Sequence, residues 1–216
     1  MRFYITFFEI AAFISSFFAW PFIRKSAYLR LFPFLLFVIV SVEVFETFFK
    51  TKDVNFNTWL YNIQIPIQHI LYLFILYFSF EKKESKKLIV LFLIVFVLWT
   101  IFSSIFLAEP KHLNSYSYCL GSLFIIIGII LKFYEILKDP THFDFLKNPY
   151  FYILFAFLIF NVGTLPYFAM GYWLYFKMGY TNAVKILVNV MSILNYILYS
   201  TYSLVFIWII RKKDYS

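Results

Sequence analysis

The sequence predicts an all-α, polytopic membrane protein with seven transmembrane helices, and composition, hydropathy and length support this prediction. Hydrophobic residues make up 63% of the 216 residues, and charged residues only 14%. A soluble domain is typically about 45–50% apolar and about 25% charged. The mean hydropathy is +0.81. Because a helix needs about 20 residues to cross a bilayer, this length accommodates roughly seven spans with short loops. We therefore expect a single seven-helix membrane domain over residues 1–216.

The individual spans follow from apolar runs that are separated by charged breaks. Clusters such as Arg24-Lys25, Lys50 to Asp53 and Glu81 to Lys87 divide the first runs from one another. Long apolar runs bounded by charge are typical of membrane-crossing helices. The predicted spans are 3–22, 30–49, 58–80, 88–108, 115–137, 149–170 and 186–210.

The distribution of basic residues predicts how these helices are oriented. One set of alternate loops, together with the tail Arg211-Lys-Lys, carries 13 Lys and Arg residues, and the other side carries 6. Cytoplasmic loops hold the excess of Lys and Arg in most membrane proteins. We therefore expect a multi-pass protein of the bacterial inner (cytoplasmic) membrane, with its N-terminus outside and its C-terminus in the cytoplasm.

The third and seventh spans share a sequence pattern. Asn62-x5-Gln68-His69-Ile-Leu-Tyr72 matches Asn189-x5-Asn195-Tyr196-Ile-Leu-Tyr199 at a constant offset of 127. This match predicts two three-helix units joined by the fourth span, a 3+1+3 plan in which the two repeats are parallel. Chance is the alternative, because Ile, Leu and Tyr are abundant. The plan resembles that of SWEET and PQ-loop transporters and of microbial rhodopsins in helix count and repeat, but not in motif.

Polar residues inside the predicted spans are candidates for a ligand-binding site. Strongly polar groups cost roughly 2.5–3.5 kcal/mol each at mid-membrane, so they require a structural or functional reason. Most of them fall in the outer half or at the midplane of the predicted bilayer, whereas the cytoplasmic halves are nearly pure hydrocarbon. We expect a polar site that opens outward among the second, third, sixth and seventh spans. The candidate ligand-binding residues are Glu43, Glu46, Gln68, His69, Asn161, Asn189 and Asn195, with Glu9, Asn62 and Gln64 at similar depth.

Glu43 and Glu46 are three residues apart and therefore share one helix face. Two carboxylates that are close together in low dielectric repel, so one is expected to be protonated or paired. His69 is the only histidine in a predicted span and is their expected partner. The structural alternatives are that Glu46 pairs with Lys50 and that His69 bonds to Asn195 or to a tyrosine.

Asn161 lies in a segment that also contains Gly163 and Pro166. Proline removes a backbone donor and kinks a helix, and glycine allows helices to approach closely. Carbonyl groups freed beside Asn161 are therefore candidates to coordinate a ligand. Ordinary helix packing is the alternative for these residues, and it is the favoured interpretation for Gly121 and Gly128.

Several chemistries are excluded by the residues that the sequence lacks. The net charge of +8 comes from basic residues dispersed over the loops, so we do not expect a nucleic-acid partner. The single Cys119 allows no internal disulfide and no CxxC metal or haem signature. Serine-hydrolase, zinc-peptidase and nucleotide-binding motifs are also missing. We therefore assign no catalytic residue, no metal site and no cofactor.

Three stretches resemble those of a family of short, uncharacterised bacterial membrane proteins with seven transmembrane helices. The resemblance covers the whole chain, and it implies seven spans without an established activity or catalytic residues. The stretches are Tyr116-Ser-Tyr-x-x-Gly121 followed by Glu135-Ile-Leu, then Asn161-Val-Gly-x-x-Pro-Tyr-Phe168, and Asn195-Tyr-x-Leu-Tyr199 followed by Ile207-Trp208.

Three functional hypotheses follow. The first is a protein that binds a small molecule in the outer half, either as a sensor subunit with a protein partner for its output or as a transporter. Because the inner half looks sealed, binding without passage fits slightly better. The second is a structural or assembly subunit of a membrane complex, and the third is a lipid-modifying enzyme that uses Glu43, Glu46 and His69.

Overall fold

The computed structural model describes residues 2–49, 54–107, 112–138, 147–170, 177 and 180–212, and these are helical almost throughout. No strand occurs in these ranges, so the all-α prediction is confirmed. The elements are α1 (Arg2–Phe18), α2 (Trp20–Ile23), a 3-10 turn (Leu29–Leu31), α3 (Phe32–Phe49), α4 (Val54–Ser79), α5 (Lys83–Phe106), α6 (Ser115–Lys138), α7 (Pro149–Ala169) and α8 (Tyr180–Lys212).

Each of the seven apolar runs forms a helix at the predicted place, but only some of these helices have the length and apolarity that a membrane span requires. Among the described residues, five helices qualify, not the predicted seven. They lie within α4, α5, α6, α7 and α8.

The remaining two long helices, α1 and α3, fall short for different local reasons. α1 has 17 residues, and Pro21, which cannot donate a helical hydrogen bond, lies just beyond its end. α3 has 18 residues and carries Glu43 and Glu46 near its end, and the side chains beyond Glu46 lie outside the described set.

Six of the long helices pack in a closed ring, in the order α1, α3, α4, α6, α7, α8 and back to α1. The first and last helices of the chain therefore close the ring. At this contact the rings of Phe8 and Tyr196 pack edge to face, with centroids 5.2 Å apart. Elsewhere Phe32 packs against Tyr202 and Phe206. The apolar core lies inside this ring and is centred on α3, α4, α7 and α8.

α5 lies outside the ring, where it packs against α4 and α6. Only 17% of its most apolar window is buried, compared with 33–39% for the other four helices that could cross a membrane. Its outer face exposes apolar side chains such as Leu91, Leu98 and Ile105. An apolar face of this kind is suited to contact with lipid.

A carboxylate anchors the beginning of α5 to the end of α6. The Oε1 atom of Glu135 accepts hydrogen bonds from the backbone N–H groups of Glu81 and Lys82, at 3.2 and 3.1 Å. Its Oε2 atom lies 3.3 Å from the Nζ atom of the buried Lys132. Lys132 also lies over the ring of Phe80, 5.6 Å from its centroid. Glu135 thus satisfies helix-end donors and balances a buried charge at the same time.

Replacing Glu135 by Ala is expected to lower the free energy of unfolding by about 1–3 kcal/mol, because two backbone donors and one buried ammonium lose their acceptor. Thermal unfolding of the purified protein in mild detergent measures this loss. Glu84→Ala is the matched control, since Glu84 is an exposed acid in the first turn of α5. Equal effects of the two substitutions would contradict the anchoring role.

Candidate functional site

Two predicted site residues, Glu43 and Glu46, meet on the face of α3 that contacts Tyr61 of α4. The hydroxyl of Tyr61 on α4 lies between them, 3.0 Å from Oε1 of Glu43 and in very close contact with Oε2 of Glu46. The single Tyr61 hydroxyl contacts both carboxyl groups and thereby joins them, and it can donate its one proton to only one of them at a time. The expected alternative partner of Glu46, Lys50, lies outside the described residues.

Glu9 of α1 belongs to the same cluster. It is only 3% exposed, and its Oε2 atom has no hydrogen-bond partner among the described residues. Glu43 is close enough for the two carboxyl groups to interact electrostatically, and Tyr199 of α8 lies close to both. We call Glu9, Glu43, Glu46 and Tyr61 the acid cluster. Three helices of the ring, α1, α3 and α4, contribute to it.

Glu9 is the member of the acid cluster whose side chain is most deeply buried, and its Oε2 atom has no hydrogen-bond partner among the described residues. A carboxyl group in low dielectric is stable only when it is neutral, paired or bound to a cation. The arrangement is therefore suited to a proton or to a small positively charged ligand.

His69 does not join this cluster, although the sequence predicted it as the partner of Glu43 and Glu46. Its Nδ1 atom lies 2.8 Å from the carbonyl oxygen of Ile65, and its Nε2 atom lies 3.3 Å from Oγ of Ser122. The ring packs against Phe96 and Tyr118, with centroids 5.6 and 5.3 Å away. His69 of α4 therefore faces α5 and α6, whereas Tyr61 of the same helix contacts the carboxyl groups of α3.

Gly121 of α6 makes the position of the His69 ring possible. A Cβ atom at residue 121 would overlap that ring and would lie 2.7 Å from Cε2 of Phe96. These neighbours are stiff aromatic groups, so they cannot easily move aside. At Gly163, by contrast, an added Cβ would meet the terminal methyl groups of Leu194, at 2.8 and 3.0 Å, and such groups can rotate away. Close packing, the interpretation favoured for Gly121, agrees with this geometry.

Gly121→Ala is expected to destabilise the fold by about 1–3 kcal/mol through overpacking, which exceeds the helix-propensity gain of about 1 kcal/mol. Gly163→Ala serves as the matched control and is expected to be near neutral. Unfolding temperatures of both variants in the same detergent test this difference. A Gly121→Ala variant as stable as Gly163→Ala would show that the His69 ring is not tightly held.

The other predicted site residues are spread over the bundle. The side-chain amide of Asn161 is buried and donates to the carbonyl of Phe157 on its own helix, at 2.9 Å. Gln68 lies beside Tyr72, and Asn195 is half-buried on α8. Asn189 is exposed on α8. The structure thus joins Glu43 and Glu46 through Tyr61, and a role of these amides in ligand binding stays a prediction.

Asn62 and Asn114 hold the segment that precedes α6. Oδ1 of Asn62 accepts from the backbone N–H of Asn114 at 2.9 Å, and its Nδ2 donates to the carbonyl of His112 at 3.1 Å. The side chain of Asn114 donates to Ser103 and Ser104 of α5 at 2.9 and 3.1 Å. These contacts explain Asn62 as a structural residue in the first half of α4.

Sequence reasoning missed two features of the interior. Tyr61 gave no signal because it is one of 18 tyrosines. The hydroxyls of Tyr72, Tyr150 and Tyr202 are buried, and none of them has a hydrogen-bond partner of good geometry among the described residues. The 127-residue offset, which aligns Tyr72 with Tyr199, was the one available indication that tyrosines matter in this core.

An apolar groove of about 580 Å³ lies elsewhere, on the surface of the bundle between α1 and α8. Its lining includes Ile10, Ile14, Phe18, Ile207 and Ile210, and none of the predicted site residues. Its apolar lining distinguishes it from the acid cluster, and we do not assign it to the candidate site.

Comparisons with protein-family models, with curated proteins and with solved structures gave no match. The resemblance to short bacterial seven-helix membrane proteins therefore stays a prediction, and the functional argument depends on the geometry of this chain alone.

Proposed function

We propose that this chain is an integral membrane protein that binds a small cationic molecule at the acid cluster, as a sensor subunit or a transporter. The observation that carries the proposal is the buried Glu9, whose Oε2 atom has no hydrogen-bond partner among the described residues and whose carboxyl group interacts electrostatically with that of Glu43. A protonated amine would supply both the positive charge and the hydrogen-bond donors that such a group requires.

An aromatic residue near Glu9 supports an organic cation in particular. Tyr199 of α8 interacts electrostatically with the Glu9 carboxyl group. Aromatic faces attract ammonium groups, most strongly where water is excluded. The combination of carboxylates and rings is common in sites that bind amines.

The proposal includes seven membrane spans in the predicted orientation. α1 and α3 pack within the same ring as the longer helices, and α2 extends the first apolar segment to Ile23. An 18-residue helix is roughly 27 Å long, close to the hydrocarbon thickness of about 30 Å. With the N-terminus outside, the acid cluster lies in the outer half and the tail after α8 is cytoplasmic.

The packing order also supports two parallel repeats. Exchanging α1 with α6, α3 with α7 and α4 with α8 converts every contact of the ring into another contact of the ring. α5 lies outside that exchange, as a linker helix would. The aligned residues Tyr72 and Tyr199 are both buried, each 3% exposed, and they lie close to each other.

A structural or assembly role is the second candidate. The contact of Tyr61 with two carboxyl groups joins α3 to α4 and would stabilise the bundle without any ligand. The lipid-modifying alternative finds no support, because His69 packs against α5 and α6 and the expected acid–base set is not assembled.

Native mass spectrometry of the protein, purified in mild detergent, tests the binding proposal. We expect a small basic molecule to remain bound to the wild type. The amount that is retained is expected to fall at least tenfold in Glu9→Gln and in Glu43→Gln. Glu84→Gln is the control because Glu84 is exposed on α5. Identical spectra for the wild type and the folded acid-cluster variants would favour the structural role.

Cysteine accessibility tests the orientation in a Cys119→Ser background. A cysteine at Lys83, at the beginning of α5, is expected to be unreachable for an impermeant maleimide added to intact cells, whereas one at the exposed Leu113 is expected to react. Labelling of the first and not of the second would place the acid cluster in the cytoplasmic half instead.

A further inference from the structure

The inner half of the ring contains polar groups that hydropathy does not reveal. Three buried tyrosines, Tyr72 on α4, Tyr202 on α8 and Tyr150 on α7, are each at most 3% exposed. Their hydroxyls have no hydrogen-bond partner of good geometry among the described residues. A buried hydroxyl without a partner costs about 1–3 kcal/mol. Since the same situation occurs on three different helices, it requires a common explanation.

These hydroxyls form a row that begins at the acid cluster. Tyr199 interacts electrostatically with Glu9 and Glu43 and also with Tyr72, so it lies near both the acid cluster and the first hydroxyl of the row. The hydroxyl of Tyr72 lies beside that of Tyr202, although the pair does not reach hydrogen-bond geometry. The rings of Tyr199 and Tyr202 are one helical turn apart on α8, with centroids 6.1 Å apart.

The row continues to the end of the bundle that we expect to be cytoplasmic. Tyr202 lies close to Tyr150, which is the second residue of α7. The hydroxyl of Tyr150 lies near Ser79 at the end of α4, and its ring packs 4.4 Å from that of Tyr28. Tyr28 belongs to the segment between α2 and α3, so the row reaches a loop.

We propose that this row, which we call the tyrosine lane, binds a chain of water molecules and carries protons between the acid cluster and the cytoplasmic end. A water molecule between two neighbouring hydroxyls would satisfy both, as buried waters do in other proteins. A hydroxyl can accept a proton from one side while it releases its own to the other side, so that no bond other than O–H bonds forms or breaks.

The tyrosine lane extends the proposed function and rests on it, because the acid cluster forms the outer end of the lane. It supplies a continuous polar route through a half of the bundle in which the sequence showed only hydrocarbon. With such a route, uptake of a cation at Glu9 and Glu43 can be exchanged against protons. The lane therefore favours transport over sensing without passage.

Proton flux into liposomes tests the tyrosine lane. The purified full-length chain is reconstituted with a pH-sensitive dye inside, and a potassium diffusion potential drives protons inward. We expect flux above that of empty liposomes for the wild type, and a fall of at least tenfold in Tyr72→Phe and in Tyr202→Phe. Phenylalanine keeps the ring, so packing is preserved while the hydroxyl is removed.

Tyr116→Phe is the matched control, since Tyr116 is 54% exposed on α6 and should conduct like the wild type. Wild-type flux no greater than that of empty liposomes, or unchanged flux in both lane variants, would overturn the proposal. If a variant fails to reconstitute as a folded protein, the other lane variant and the wild-type measurement still decide.

The result also separates the two proposals. Retention of a basic molecule that depends on Glu43, without proton flux that depends on the tyrosines, would support the binding site and contradict the tyrosine lane. Proton flux that depends on the tyrosines, without any retained molecule, would support the tyrosine lane and contradict the amine-binding site.

Discussion

In the membrane setting that we propose, the free-energy cost of a polar group in hydrocarbon is the constraint on which this architecture depends. A carboxyl group that faces lipid must stay neutral or find a partner, and a helix that carries one is therefore turned toward other protein. α1 and α3 carry Glu9, Glu43 and Glu46, and both lie in the closed ring with these groups directed to its interior or to α4. α5, whose apolar stretch from Leu88 to Trp99 contains no polar residue, lies outside the ring. The free-energy cost of a polar group in hydrocarbon therefore explains both why α1 and α3 lie in the ring and why α5 can lie outside it.

Closure of the ring is what gives the polar groups an interior to occupy. The first and last helices meet, and this contact brings Glu9 of α1 close to Tyr199 of α8. Tyr61 then links the carboxyl groups of α3 to α4. A ring that opened between α1 and α8 would expose Glu9 to the surroundings. The acid cluster and the closure therefore depend on each other.

The positions of the helices could be predicted from the sequence because apolar runs and charged breaks determine them directly. The end of α7, predicted at 170, lies at Ala169, and α6, predicted at 115–137, is Ser115–Lys138. Among the described residues, fewer helices than predicted have the length and apolarity of a span, and for α1 the reason is that the run at 3–22 is interrupted near Pro21. Hydropathy averages over such a break and does not detect it.

The neighbours of each polar side chain could be predicted only in part. Glu43 and Glu46 share a helix face by their spacing alone, and the structure places them together. His69 has a similar depth, but depth does not determine the direction in which a side chain points around its helix. Gly121 leaves room for its ring on the side of α6, and that space is a tertiary property. The buried tyrosine hydroxyls give no signal in the sequence, because the burial of a side chain is a tertiary property.

Cross-linking of α1 to α8 tests the closed ring most directly. In a Cys119→Ser background, cysteines replace Phe8 and Tyr196, whose ring centroids lie 5.2 Å apart. We predict rapid intramolecular cross-linking in membranes treated with a short bifunctional thiol reagent. A pair at Phe8 and the exposed Leu98 of α5, which packs on α4 and α6, should not cross-link. Absence of the first cross-link, or equal yields for the two pairs, would contradict the closed ring and the buried position of Glu9.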